Sequence, residues 1–362
     1  MTGKIVTVLA AITAALAITA TVAAAEVLDP TIAAFRHECA ATAAAAEQAN
    51  TITVTGKDGW LFFGPELRHV GVGQFWGEAA ATVSKAAKPE DADPLPAILD
   101  FKAQLDAAGI ELLLVPVPPK AIVYPDKLSD KIALDTNGRP PRLDPQHQEF
   151  YKLLADKGVA VIDLVPTFRS HDDKEGAMFC KHDTHWSGLA CVLTAKLIAG
   201  RIKDRPWLKT VPRIQLVSQE RSVEITGDLW KALGDQAIPR ENLPLRFVSK
   251  GDDKPLEPDR ASPIVLLGDS HTLVFHAGDD MLASGAGLAD QLAVELGIAV
   301  DLIGVRGSGA TPARVNLYRR SQGDAAYLAG KKLVIWCFSA REFTESQGWR
   351  KVPVKPKAEV GK

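Results

Sequence analysis

The sequence predicts an α/β fold: a parallel sheet flanked by helices on both faces. Two observations carry this. Apolar runs recur at Ile110–Val115, Val159–Val165, Ile264–Leu267, Val300–Val305 and Leu333–Phe338, the pattern of strands buried on both sides. Between them lie stretches of helical sequence, at Pro96–Ala108, Gln146–Lys157, Ser187–Ile202, Leu288–Leu296 and Pro312–Arg320. Strands that alternate with helices build a parallel sheet. A third observation sets one region apart. Arg205–Arg260 has short strand-like runs at Val223–Thr226 and Leu245–Lys250 among polar, Pro-rich connections, which predicts an inserted small β-containing subdomain over about 205–260 rather than a separate domain.

The rest of the chain follows in order. With 362 residues, 46% hydrophobic, 24% charged and a net charge of −2, it has the makeup of an ordinary globular protein. That charge balance excludes a nucleic-acid binder held mainly by phosphate contacts. Residues 1–25 read as an export signal: Lys4, an apolar Ile5–Ala24, then Ala23-Ala24-Ala25 before Glu26. The stretch is also just long enough for an uncleaved anchor, and both readings export the protein. Residues 26–55 form an N-terminal helical extension, Ala-rich around Ala41–Ala49. Asp58–Gly77, DGWLFFGPELRHVGVGQFWG, is expected as short strands and turns, since Gly64, Pro65, Gly71 and Gly73 disfavour a regular helix. It reads first as a hydrophobic lid on the core, and second as a cleft wall with Glu66, Arg68 and His69 as polar contacts. Lys85–Pro96 is a surface loop, and Pro116, Pro118 and Pro119 end the first sheet strand. The basic tail, 346–362, is expected to be disordered.

Four cysteines, Cys39, Cys180, Cys191 and Cys337, would meet an oxidising compartment after export. Three complete pairings are open. Cys39–Cys180 is the expected disulfide, because it would tie the N-terminal extension down, and Cys191 and Cys337 look like small core residues. No metal site is expected: CxxC spacing is absent, and His171 and His182 lack a completing ligand set.

The chemistry centres on Pro263–His276, PIVLLGDSHTLVFH. Ser270 falls in the turn after a buried strand, at the sheet edge where ligands collect. A serine hydroxyl needs a base, and the base an orienting carboxylate, to act as a nucleophile. Asp183 and His185 in CKHDTHWSG are the well-spaced pair that fits. Each has a structural rival: a helix-capping serine, an N-cap aspartate, a histidine at a helix start. An oxyanion also needs donors. The Ser270 N–H and the loop Arg306-Gly307-Ser308-Gly309 are candidates, with a plain turn as the equal alternative. Arg341 and Glu342 follow the last strand and either line the same edge or form a surface ion pair.

These pieces resemble the SGNH hydrolases, with a GDS serine after a strand and a glycine-bearing loop after the next. The ordered motifs KDGWLFFGPELRHVGVGQFWG, VPPKAIVYPDKL, HDTHWSGLA, ITGDLW and LLGDSHT, across Gly56–Phe343, more closely resemble the alginate O-acetyltransferase AlgJ/AlgX family. The resemblance implies an SGNH hydrolase-like, flavodoxin-like sheet over 56–345. It implies a periplasmic enzyme that acetylates an exopolysaccharide such as alginate, with Ser270 as nucleophile, His185 as base and Asp183 as its orienter. In that family the Asp-x-His precedes the serine, as here. Two features depart from the pattern: the SGNH block asparagine has no obvious counterpart, and no C-terminal carbohydrate-binding module of the AlgX type follows. No cofactor is expected. The acetyl group would come from a membrane-bound O-acyltransferase partner within a polysaccharide biosynthesis and export complex. An exported carbohydrate esterase with the same triad is the alternative, and a non-catalytic subunit of a secretion complex the third reading.

Overall fold

The computed structural model describes residues 29–355 apart from 172, 236, 253 and 325. The export signal expected over residues 1–25 and the last seven residues lie outside that range. Helix α1 (Pro30–Gln48) leads into an antiparallel ribbon, β1 (Thr53–Thr55) and β2 (Leu61–Phe63), followed by α2 (Gly64–Val72), α3 (Ala80–Val83) and α4 (Pro94–Asp106). Strand β3 (Glu111–Val117), α5 (Lys120–Val123), α6 (Pro145–Asp156), β4 (Ala160–Val161), α7 (Val165–Ser170) and α8 (Gly188–Ile202) come next. An antiparallel hairpin, β5 (Val217–Ile225) and β6 (Glu241–Ser249), carries α9 (Asp228–Leu233) in its connection. The chain then runs through β7 (Ile264–Gly268), α10 (Leu288–Leu296), β8 (Asp301–Gly304), α11 (Thr311–Gly323), β9 (Leu333–Ser339) and α12 (Glu342–Glu345). Among the described residues no helix is long and apolar enough to cross a membrane.

The main sheet has the order β4-β3-β9-β7-β8 and is parallel throughout. Its residues alternate between two cores. Leu113, Val115, Ile264, Leu266, Ile335 and Cys337 face one core, shared with α8 and α10. Leu112, Leu114, Val265, Leu267, Val334 and Trp336 face the other, shared with α4, α6 and α11. Because β7, β8 and β9 are parallel neighbours, the loops after Gly268, Gly304 and Ser339 emerge along one edge. Local chemistry fixes the helices on either side. Asp93 caps α4 by accepting the Leu95 N–H at 2.9 Å, and Ala97, Ile98, Phe101 and Leu105 form its buried stripe. Ser187 caps α8 through the Ala190 N–H, so the cap lies two residues after His185 and the helix begins at the third.

Several sequence expectations are corrected. Residues 64–72 are helical: Pro65 occupies the first turn, where its missing N–H costs nothing. Gly71 belongs in that helix because α1 crosses it closely; a Cβ there would stand 2.7 Å from the Ala40 Cβ. Pro116 continues β3, opposite Phe338 of β9, in a part of the strand that β4 no longer flanks. The hairpin strands of the insertion are nine residues each, longer than their apolar content suggests, because β5 lies exposed on nearly its whole length. The 349–355 part of the tail is not disordered: Trp349, Val352 and Val354 are buried, and the Gln104 carboxamide oxygen accepts the Val354 N–H at 2.7 Å. Cys39 and Cys180 are not paired; all four cysteines are free and buried. Cys39 is spent on the α1 face of the core, and the Cys180 thiol points at the Trp186 carbonyl, 3.4 Å away.

Candidate active site

The loop between β7 and α10 places Ser270 at the edge of the sheet, 8% exposed. Asp269 sets the turn. Its Oδ1 accepts the His271 N–H at 2.9 Å and its Oδ2 accepts the Ser339 N–H at 2.7 Å, which ties the turn to the end of β9. Across from it, the Ser270 Oγ lies 2.7 Å from His185 Nε2, and His185 Nδ1 lies 2.6 Å from Asp183 Oδ1. Asp183 Oδ1 also accepts the His185 N–H at 2.9 Å. The carboxylate therefore holds the ring with Nδ1 protonated and leaves Nε2 as acceptor for the serine hydroxyl. Trp186 adds a brace between the two segments, donating Nε1–H to the His271 carbonyl at 3.2 Å.

The electrostatics suit that arrangement. Burial pushes the His185 imidazole down, but the Asp183 carboxylate outweighs it, so the ring titrates above its ordinary value. Burial pushes Asp183 up, and its contact with His185 overrides this, leaving the carboxyl below the usual range. Burial, only partly offset by Asp269, pulls His271 down to about 4, so this neighbour stays neutral where His185 can accept a proton. Asp183, His185 and Asp228 offer ligand atoms within 4.8 Å of one another. Hydrogen bonds already engage these atoms, between Asp183 and His185, from His185 to Ser270, and from Thr184 to the Asp228 carboxylate, which makes the cluster a hydrogen-bonded network rather than an open metal cage.

Of the other residues singled out from the sequence, Gly309 joins the site. A Cβ on it would meet Phe338 Cβ at 2.8 Å and Asp269 N at 2.9 Å, so the loop after β8 lies directly against the Asp269–Ser270 turn. Trp336 Nε1 donates to the Gly309 carbonyl at 2.9 Å, and the Ser308 hydroxyl donates to Glu342. Burial and then Asp269 push the Glu342 carboxyl up to about 7. Gly307 has φ +105 and open space around it, so there the backbone itself requires glycine. Arg306 does not face Ser270; it forms an exposed ion pair with Asp280 at 2.8 Å. Arg341 does lie on the site side: it donates to Ser339 Oγ at 3.0 Å, packs over the Phe63 ring and faces Glu66 at 3.6 Å. In the aromatic segment, Glu66 also accepts the Lys120 N–H at 2.8 Å. Arg68 pairs with Glu345, and His69 is buried against Thr344 and His147. His69 is thus enclosed away from Ser270, while Glu66 contacts Arg341 and Lys120.

Sequence reasoning missed two supports. Lys120 is 1% exposed, and its Nζ donates to the Leu61 carbonyl at 2.8 Å and the Asp183 carbonyl at 2.6 Å. Asp228 accepts the Thr184 N–H at 2.8 Å and donates its own N–H to Asp183 Oδ2 at 2.8 Å. Both stand in motifs already visible, VPPKAIVYPDKL and ITGDLW. Neither motif says by itself which chain segment it will touch.

Residues 53–340 match a family described as the SGNH hydrolase-like domain of the acetyltransferase AlgX. The chain is 27% identical over 226 residues to the probable alginate O-acetylase AlgJ of Pseudomonas aeruginosa, covering 60% of this chain and 51% of that protein. It is 23% identical over 290 residues to the probable alginate O-acetylase AlgJ of Pseudomonas syringae pv. tomato, covering 80% of this chain and 68% of that one. The chain thus spans about half to two thirds of these relatives' length. Among solved structures, the O-acetyltransferase domain of Pseudomonas putida AlgJ superposes with a TM-score of 0.59 at 21% identity, over 81% of this chain and 92% of that one. Pseudomonas aeruginosa AlgX superposes with a TM-score of 0.56 at 20% identity, over 80% of this chain and 62% of that one. These two likenesses are likenesses of fold.

Proposed function

Since this chain belongs to the family of SGNH hydrolase-like AlgX acetyltransferase domains, we propose that it is an exported polysaccharide O-acetyltransferase that works through an acetyl-Ser270 intermediate. The observation that carries the reading is the unbroken relay from Asp183 through His185 to Ser270, with contacts of 2.6 and 2.7 Å. In the first half-reaction the Ser270 Oγ attacks the carbonyl carbon of an acetyl donor while His185 Nε2 takes the hydroxyl proton. The tetrahedral adduct collapses, and the departing alkoxide receives that proton from Nε2. In the second half-reaction Nε2 takes the proton of a sugar hydroxyl, whose oxygen attacks the acetyl carbon. The Ser270 oxygen then leaves and regains the proton. Asp183 keeps its charge throughout and stabilises the imidazolium. The Ser270 N–H and the Gly307–Gly309 loop are the proposed donors to the oxyanion, with Arg341 as the cationic wall behind them.

The acceptor in this reading is an exopolysaccharide such as alginate, and the compartment is the periplasm. A membrane-bound O-acyltransferase of the same biosynthesis and export complex supplies the acetyl group. Water in place of the sugar would make the same relay a carbohydrate esterase, and the family assignment favours the transferase. Mass spectrometry of the protein incubated with 4-nitrophenyl acetate, with and without an oligosaccharide acceptor, separates them. Acetyl on Ser270 that moves to the sugar supports the transferase, and acetate released regardless of acceptor supports the esterase. Ser270→Ala should abolish the adduct while the fold stays intact; an adduct of wild-type yield on that variant refutes the assignment.

A further inference from the structure

The segment Lys181–His185 is neither helix nor strand, so its backbone groups need partners from elsewhere. The inserted hairpin supplies most of them. Glu241, at the start of β6, accepts the Lys181 N–H at 3.0 Å and the His182 N–H at 3.1 Å. Trp230 of α9 donates its N–H to the His182 carbonyl at 3.1 Å. Asp228 makes the densest set: its N–H donates to Asp183 Oδ2, its Oδ1 accepts the Thr184 N–H, and its Oδ2 accepts the Thr184 hydroxyl at 2.6 Å. That hydroxyl lies 3.5 Å from His185 Nδ1. A second carboxylate thus stands beside the first, joined to it through one backbone N–H and one threonine.

We propose that the insertion exists at this place to hold the acid–base pair, and that Asp228 is a positioning residue. It fixes the Asp183–Thr184–His185 segment through Thr184 and adds its negative charge to the field on the His185 imidazole. The inference rests on the acyl-transfer reading for its consequence but not for its geometry. The charged and titratable groups that face His185 are Asp183, Asp228, the His271 ring with its centroid 4.9 Å away, and Arg341. Lys120 stands behind Asp183 at its carbonyl. Asp183 and Asp228 favour the imidazolium, and Arg341 opposes it. Burial, then the Asp183 charge, raises the Asp228 carboxyl above its ordinary value, as expected for two carboxylates that share one enclosed segment.

Two variants of the full chain separate charge from geometry. Asp228→Asn keeps an oxygen for the Thr184 N–H and removes the charge. Thr184→Val keeps the charge and removes the hydroxyl link, and Thr184→Ser restores it. The readouts are the His185 imidazole titration, followed by NMR without substrate, and the pH profile of Ser270 acetylation by 4-nitrophenyl acetate. Asp228→Asn should lower the His185 midpoint by about one pH unit, and the acid limb of the profile should move with it. Thr184→Val should leave the midpoint in place and lower the plateau rate by about tenfold, with recovery in Thr184→Ser. An unchanged His185 midpoint in Asp228→Asn overturns the charge assignment. Should that variant not fold, an unchanged plateau in Thr184→Val overturns the positioning role. A wild-type protein that never acetylates Ser270 sinks the acyl-transfer reading instead, and the substrate-free titration still decides the role of Asp228.

Discussion

Replacing Gly227 with alanine should disable the site from outside it. Gly227 sits just before α9 with φ −63 and ψ 156, a conformation open to any residue, so glycine is present for space alone. A Cβ there would stand 2.1 Å from the His182 carbonyl oxygen, 2.5 Å from its carbon and 2.9 Å from the Asp183 nitrogen. Restoring an ordinary C···O separation of about 3.3 Å requires the two segments to part by about 1.2 Å. Little in the surroundings can stretch. Asp228 N to Asp183 Oδ2 and Thr184 N to Asp228 Oδ1 are both 2.8 Å, and Trp230 N to His182 O is 3.1 Å. The movement therefore passes to Asp183 and the His185 ring, which must hold 2.7 Å to Ser270. A misplacement of about 1 Å costs on the order of 100-fold in rate, and the crowding itself costs about 1–3 kcal/mol of stability. Single-turnover acetylation of Ser270, followed by mass spectrometry beside a thermal unfolding curve, reads both quantities. A folded Gly227→Ala protein that acetylates at the wild-type rate would falsify the argument that the insertion holds the base.

Other outcomes follow from the same contacts. Gly200 lies inside α8, and no atom comes within 4 Å of where an alanine methyl group would stand. Gly200→Ala should therefore stabilise the fold by about 0.5–1 kcal/mol in urea denaturation, with activity unchanged. Lys120→Met removes the donor to the Leu61 and Asp183 carbonyls, and should cost about 3 kcal/mol together with a slower acetylation; a neutral effect on both would show that these carbonyls find other partners. Burial holds His147 down at about 4, below the value of about 6.5 it has when unfolded. The unfolded chain thus binds this proton first, so its contribution is complete above pH 6.5 and declines as pH falls toward 4. Between pH 7 and pH 5 the His147 share of the loss should be about 2 kcal/mol, and His147→Gln should lessen the slope seen in urea denaturation by about that share.

Much of this protein was legible in its sequence because the relevant physics is local. Apolar runs such as Ile264–Leu267 have one stable use, a strand covered on both faces, and periodic stretches such as Leu288–Leu296 one stable helix. Ser270, Asp183 and His185 were readable as candidates by residue type, each beside a structural rival, since a hydroxyl after a strand becomes a nucleophile only with an imidazole and a carboxylate to activate it. Where local rules failed, a distant segment had intervened. Gly64–Val72 became a helix because α1 needs the bare backbone of Gly71 to approach. Arg306, adjacent to the site in sequence, turned to Asp280, and the 349–355 tail found cover against Gln104 and Ser321.

The sequence alone determined the α/β class, the alternation of strands and helices and the residue types able to perform acyl transfer, because hydrophobic periodicity and functional-group chemistry need no partner. Only the tertiary structure decided that Asp183, His185 and Ser270 meet, since a hydrogen bond of 2.7 Å spans 85 positions of chain. It alone assigned the clamp of Asp228, Glu241 and Lys120, because which segment an unpaired backbone N–H or carbonyl will meet depends on how the whole chain packs around it.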